Sequence, residues 1–81
     1  MEKPIKITLH TRRRMLKYGL EEETVVKALR APDYIVEGAF GRKIAHKSMD
    51  DLILRVIYED NEEIIVVTVY PARKKRYAET V

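Results

Sequence analysis

Two neighbouring segments rich in β-branched and aromatic residues, 52–59 and 64–70, constrain the fold more than any other part of this sequence. Between them stand Asp60 and Asn61, residue types that favour a tight turn. Strand pattern on both sides of a turn predicts an antiparallel hairpin.

Weaker strand patterns precede this hairpin. Residues 34–38 and 41–47 have the composition of strands, and Gly38 and Gly41 permit a turn between them. Residues 3–8 alternate apolar and polar side chains, which favours a short N-terminal strand. The sequence therefore predicts a three- to four-stranded antiparallel sheet, with this short N-terminal strand as an addition.

Helical signals lie between residue 8 and the first of these later strands. Thr8 suits an N-cap, residues 9–18 suit a first helix, and Gly19 suits the left-handed residue after it. Three glutamates at 21–23 favour the start of a second helix, which Pro32 ends. The fold class predicted is α+β, an αα hairpin packed on one face of the sheet.

The two faces of the first helix differ in chemistry. With successive residues rotated by about 100°, His10, Arg14 and Lys17 fall within roughly 60° of arc. Leu9 and Leu16 point the other way, and we expect them in the core. A titratable imidazole beside cations is chemistry suited to phosphates.

The chain of 81 residues predicts a single domain, with a core over about 4–71 and a basic tail at 72–81. Net charge is +5 for residues 1–19, −5 for 20–72 and +3 for 73–81. This pattern fits an anion-binding surface built from both termini, and it equally fits solvated faces and a loose tail.

Composition excludes several classes of protein. Without cysteine there is no disulfide framework, thiolate zinc site or thiol catalysis. No apolar run approaches the roughly 20 residues of a membrane-spanning helix, and the first four residues are too short and charged to begin a signal peptide. We expect a soluble cytoplasmic protein. Its 36% charged residues, single Asn and lack of Gln are typical of a thermophile.

Pairing parity assigns the faces of the hairpin. A loop of two or four residues turns one set toward the helices: Leu54, Val56, Tyr58, Ile65, Val67 and Val69. The opposite face then holds Arg55, Ile53, Ile57, Val66, Thr68 and Tyr70. A three-residue loop would overturn this assignment. Because this opposite face is so apolar, we expect it to be covered by a second copy, a partner or the chain's own tail.

Short motifs run in a fixed order along nearly the whole chain: His10, Arg14-Met15, Gly19-Leu20, Pro32-Asp33, and Val67-Thr68-Val69-Tyr70-Pro71. In their order and spacing the chain resembles the DUF4258 family of prokaryotic proteins. That family is similar to the RelE/ParE toxin superfamily in its αα hairpin on an antiparallel sheet, and its members often lie beside a small antitoxin gene. The resemblance implies a RelE-like fold and a toxin–antitoxin role.

The resemblance also implies site residues. The family's helix-start His falls on His10, its helix Arg on Arg14 and its strand Arg on Arg55, whereas Tyr18 stands where the family often has a second basic residue. A RelE-like toxin would be a metal-independent mRNA endoribonuclease without a cofactor, neutralised by an antitoxin protein. Related folds poison gyrase instead.

Cleavage of RNA by its own 2′-OH needs a base, an acid and cations. His10 suits the base or the acid, because imidazole titrates near neutrality, and Arg14 and Arg55 suit the phosphate oxygens. Tyr70 is the fourth catalytic candidate, to stack a base or transfer a proton. Further candidates would hold the nucleic acid: Lys17, Arg73, Lys74, Lys75, Arg76 and Tyr77.

Each candidate has a simpler interpretation. His10 then caps or packs the helix, Tyr70 packs at a strand end, and His46 is a surface strand residue. Arg55 then forms a salt bridge to Glu37 or Asp51.

Two other functions remain open at this stage. The first is a non-catalytic module of the same fold that binds nucleic acid or protein. The second is a structural homodimer that buries Ile53, Ile57 and Val66.

Overall fold

The computed structural model describes residues 3–73 and has the predicted α+β class. The elements in chain order are β1 (Ile5–Ile7), α1 (Leu9–Tyr18), α2 (Glu22–Arg30), β2 (Tyr34–Glu37), a 3₁₀ turn at Ala39–Gly41, β3 (Lys43–Met49), β4 (Leu52–Asp60) and β5 (Ile64–Arg73). The short N-terminal strand predicted at 3–8 is present as β1. No helix among residues 3–73 is both long enough and apolar enough to span a membrane.

The sheet has five strands in the order β1-β5-β4-β3-β2. It is mixed, because the short N-terminal strand adds a parallel edge to the four antiparallel strands. β1 runs parallel to β5, and the other neighbours are antiparallel. The αα hairpin connects β1 at one edge of the sheet to β2 at the opposite edge. The strands β2 to β5 then follow one another back across the sheet, so the last strand lies beside the first.

Both ends of α1 follow from local sequence. The Thr8 side chain accepts a hydrogen bond from the backbone N–H of Thr11 at 3.2 Å, which caps the first turn. At the other end Gly19 has a φ of 66°, the left-handed conformation that a residue without Cβ adopts at low cost. The predicted bounds of the first helix are confirmed.

The rotation of α1 about its axis differs from the prediction. Leu9 and Leu16, expected in the core, are 64% and 84% exposed, while Thr11 and Met15 are buried. A single residue separates β1 from α1, and the Thr11 hydroxyl donates to the carbonyl of Val66 on β5 at 2.9 Å. These polar and covalent constraints set which face meets the sheet, in place of the two leucines.

The hairpin of β4 and β5 has the three-residue loop that reverses the predicted faces near the turn. Asp60 pairs with Ile64, and Tyr58 pairs with Val66, so Val66 lies in the core and not on the opposite face as predicted. Ile65, predicted to face the helices, pairs with Glu59 instead. The prediction was wrong for both residues.

One extra residue in β5 restores the predicted alternation. Ile57 pairs with Thr68 while Tyr58 pairs with Val66, which leaves Val67 as a β-bulge. Beyond the bulge Tyr70 pairs with Arg55, as the predicted faces required. The bulge therefore separates a half of the hairpin whose faces were predicted correctly from a half whose faces were not.

The core lies between the αα hairpin and one face of the sheet. Its buried apolar residues are Met15, Val25, Ala28, Ala45, Leu54, Val56, Tyr58, Val66 and Val69. We call the other side of the sheet the open face; it carries Arg55 and the residues that share its side of the strands. The apolar surface predicted there is smaller than expected, because Ile53 is only 5% exposed and Val66 belongs to the core.

The C-terminal boundary also changes. β5 continues through Pro71, and Ala72 and Arg73 pair with Ile53 and Leu52. These two residues belong to the sheet, although the sequence assigned them to a tail. Residues 74–81 lie outside the described part.

Candidate functional site

A row of four polar and aromatic side chains crosses the open face. Tyr34 on β2 pairs with His46 on β3, His46 pairs with Arg55 on β4, and Arg55 pairs with Tyr70 on β5. Direct cross-strand partners point to the same side of a sheet, so the four side chains stand next to one another. We call Tyr34, His46, Arg55 and Tyr70 the cross-strand row.

Hydrogen bonds join the whole row. The Arg55 Nε–H donates to His46 Nε2 at 3.3 Å, and an Arg55 terminal N–H donates to the Tyr70 hydroxyl. At the other end, His46 Nδ1 and the Tyr34 hydroxyl are 2.8 Å apart. The Arg55 guanidinium also lies 5.3 Å from the centre of the Tyr70 ring, within cation–π range. Arg55 thus donates to an imidazole nitrogen and to a phenol.

His46 is buried, with 3% of its surface exposed, which corrects the interpretation of this residue as a surface histidine. Burial lowers the pKa of His46 below its ordinary value of 6.5, and the positive charge of Arg55 lowers it further. The imidazole is therefore held in its neutral form beside the guanidinium.

His10 approaches the same face from the edge of the sheet. Its Nε2 lies 3.2 Å from the Thr68 hydroxyl, and the ring is exposed. Thr68 pairs with Ile57 and lies two residues before Tyr70, so both side chains point to the open face, about 7 Å apart along the strand. This places the His10 imidazole beside the β5 end of the cross-strand row.

Arg14 and Lys17 meet at Tyr18. The Arg14 guanidinium carbon and Lys17 Nζ lie 5.2 and 5.5 Å from the centre of the Tyr18 ring. Arg14 Nε is buried and, among the described residues, has no hydrogen-bond partner. An unpaired buried donor costs roughly 1–3 kcal/mol.

The remaining candidates are divided by the boundary of the described region. Arg73 is exposed at the end of β5, opposite Leu52. Four candidates lie outside residues 3–73: Lys74, Lys75, Arg76 and Tyr77. Within residues 3–73 no group of three or more His, Cys, Asp or Glu side chains is arranged to hold a metal ion.

Sequence reasoning missed the β2 and β3 members of the row, Tyr34 and His46. A signal for His46 was present: Asp50 and Asp51 form a two-residue connection between Met49 and Leu52. Counting back from such a turn pairs His46 with the arginine of the next strand.

Residues 7–71 match the model of a protein family, and this range includes the cross-strand row, His10 and Arg14. The chain belongs to the DUF4258 family. The description of DUF4258 is a domain of unknown function, so membership assigns no activity and no relation to RelE or ParE toxins. Comparisons with curated proteins and with solved structures gave no match.

Proposed function

We propose that this DUF4258 protein is a toxin of the RelE type: a cytoplasmic endoribonuclease that cleaves mRNA without a metal or cofactor and is neutralised by an antitoxin protein. The observation that carries the proposal is the position of Arg55. Its guanidinium lies on a sheet face among two phenols and a neutral imidazole, with the exposed His10 imidazole at the edge of that face.

The proposed reaction is attack of a ribose 2′-hydroxyl on the adjacent phosphorus. A bond forms from the 2′-oxygen to phosphorus, the bond from phosphorus to the 5′-oxygen breaks, and the products carry a 2′,3′-cyclic phosphate and a 5′-hydroxyl. One group takes the proton of the 2′-hydroxyl, and another gives a proton to the 5′-oxygen. Neither transfer needs a redox partner.

Four side chains supply these roles in the proposal. His10 transfers one proton, because its imidazole is exposed and hydrogen-bonds to the Thr68 hydroxyl. Arg55 stabilises the charge that develops on the phosphate oxygens, and the phenol of Tyr70 transfers the other proton or stacks on a base. Arg14 adds a second cation with an unpaired donor.

Affinity for the rest of the RNA would come from the basic ends of the chain. Residues 1–19 carry a net charge of +5, and Arg13 and Lys17 on α1 are exposed. Such contacts to phosphates weaken as salt rises, because binding releases counterions. In this proposal the antitoxin covers the basic surface and the open face, and so excludes RNA from both.

Induction of the wild-type protein alone in a bacterial host tests the proposal. We expect growth arrest together with new RNA 5′ ends, and we expect His10→Ala and Arg55→Ala to abolish both effects. Lys27→Ala is the control, since Lys27 is exposed on α2 and belongs neither to the basic ends of the chain nor to the cross-strand row. Arrest with intact RNA would redirect the search to gyrase or another target. Unimpeded growth by a soluble, folded protein would contradict the toxin assignment.

A non-catalytic binding module is the second candidate, and one observation favours it. The row residues bond to one another, while His10 contacts Thr68 and Arg14 contacts Tyr18, so the described contacts do not join the candidates into one cluster. Purified protein that binds an RNA oligonucleotide and leaves it intact would support this module over the nuclease.

A further inference from the structure

The hydrogen bonds of the cross-strand row have only one consistent direction. An arginine Nε–H donates and never accepts, so His46 Nε2 must be the unprotonated nitrogen of the ring. The proton of the neutral imidazole is then on Nδ1, from which it is donated to the Tyr34 oxygen. The Tyr70 oxygen likewise accepts from Arg55.

Both ends of the row therefore present hydrogen-bond donors. Each phenol oxygen already accepts one N–H from the row, so each hydroxyl hydrogen is directed to a different acceptor. Tyr34 is 42% exposed and lies at the edge of the sheet. Four strands at a spacing of about 4.8 Å make the row on the order of 14 Å long. A ligand rich in acceptor oxygens, such as a phosphate backbone, matches these donors.

The identity of the residue at position 46 also favours an anion. A carboxylate there would bond to the Arg55 Nε–H as well, but it would cancel the charge of the guanidinium. A neutral imidazole accepts the Nε–H of the guanidinium and adds no negative charge of its own beside it. Residues 20–72 carry eleven acidic side chains, yet none belongs to the cross-strand row.

We infer that His46 is a positioning residue that fixes the Arg55 guanidinium through Nε2 and makes the Tyr34 hydroxyl an outward donor, so that Tyr34, Arg55 and Tyr70 together bind the phosphates of an RNA strand. This inference rests on the proposed function for its ligand and adds Tyr34 and His46 to the site. In this inference Tyr34 contacts the substrate, whereas His46 only orients Arg55 and Tyr34.

The tautomer of His46 gives a test that needs no RNA. In protein labelled with ¹⁵N, long-range proton–nitrogen NMR spectra distinguish a protonated from an unprotonated ring nitrogen. We expect a neutral His46 with protonated Nδ1 and unprotonated Nε2 at pH 7.5. The opposite tautomer, or an imidazolium, would overturn the inference.

A matched pair of variants tests the link from His46 to Arg55. His46→Gln places an amide oxygen near the position of Nε2, whereas the shorter side chain of His46→Asn does not reach Arg55. With an RNA oligonucleotide made uncleavable by 2′-O-methyl groups, we expect His46→Gln to bind within about threefold of wild type and His46→Asn about tenfold more weakly. Equal affinities of these two folded variants would contradict a positioning role.

The role of Tyr34 is tested by removal of one oxygen atom. We expect Tyr34→Phe to weaken binding of the same oligonucleotide about five- to tenfold, as loss of one hydrogen bond to a charged acceptor does. Tyr18→Phe is the control, because Tyr18 contacts its cations through the ring. If Tyr34→Phe binds the oligonucleotide as tightly as wild type, the Tyr34 hydroxyl does not donate to RNA and this part of the inference is overturned.

These measurements separate the inference from the proposed function. If the wild type binds RNA without cleaving it, and His46→Asn and Tyr34→Phe weaken that binding, the nuclease fails while the phosphate-binding row stands. If the wild type cleaves RNA, and His46→Gln and His46→Asn bind it equally, the row fails while the nuclease stands.

Discussion

The Thr11 hydroxyl donates to the carbonyl oxygen of Val66 at 2.9 Å, a contact between residues 55 positions apart in the chain. The Thr8 hydroxyl bonds to the same oxygen, also at 2.9 Å. β1 ends beside Val66, so the two hydroxyls continue the hydrogen bonding of β5 at the point where its partner strand stops. The start of α1, including His10, is thereby tied to β5.

This tie predicts a measurable loss of stability in Thr11→Val, which keeps the shape of the side chain and removes the hydroxyl. We expect the free energy of unfolding to fall by about 1–2 kcal/mol, because Thr11 is fully buried while the carbonyl keeps its second donor. Denaturant titration followed by circular dichroism measures the change. An unfolding midpoint equal to that of wild type would show that the contact contributes nothing.

Arg14 should contribute to binding without contributing to stability. Arg14→Met removes an unpaired buried donor, which favours folding, and a cation–π contact with Tyr18, which opposes it. These terms are each of order 1 kcal/mol, so we expect the unfolding free energy to stay within about 1 kcal/mol of wild type. RNA affinity should fall severalfold, and more than in the control Arg13→Met. A loss of several kcal/mol on denaturant unfolding would instead make Arg14 a structural residue.

Acid should weaken the fold through His46. Its pKa is lowered in the folded protein by burial and by Arg55, so below pH 6.5 the unfolded chain binds protons that the folded chain does not. The contribution to stability is complete above pH 6.5 and is lost as the pH falls through the folded-state pKa. Unfolding free energies measured from pH 7.5 to 5 should show this decrease. The decrease should be smaller in His46→Gln. If the unfolding free energies of the two proteins depend equally on pH, His46 is not the group responsible.

Alkali should act on the core through Tyr58. Burial raises the pKa of this phenol above its ordinary value of 10, with smaller and opposing effects from the charges around it. The folded state therefore favours the neutral phenol, and stability is lost as the pH rises through the raised pKa. Ultraviolet absorbance should show one tyrosine that ionises after the others. Tyr58→Phe should remove that late phase, and its persistence would assign the phase to a different tyrosine.

The helices were predictable because their signals are local. Thr8 and Gly19 fix the ends of α1 through contacts within a few residues, and Pro32 limits α2 in the same way. The rotation of α1 was not predictable from its apolar pattern. It depends on the contact of Thr11 with Val66, which exists only once β1 and β5 have paired.

The site was predictable in part for the same reason. Arg55 and Tyr70 were assigned to one face by alternation, and the structure pairs them. That agreement required the bulge at Val67 to cancel the effect of the three-residue loop, and neither feature has a clear sequence signal. His46 was missed because its burial arises from neighbours on two other strands, Tyr34 and Arg55.

The bulge also has a consequence for the gene. Val66 and Thr68 pair with consecutive residues of β4, Tyr58 and Ile57, so the pairing of β4 with β5 does not need the residue that codon 67 encodes. A lineage that loses this codon regularises the strand and keeps Tyr70 opposite Arg55. Length variation can therefore enter the middle of the sheet at this one position of β5, while the chemistry beyond it is inherited unchanged.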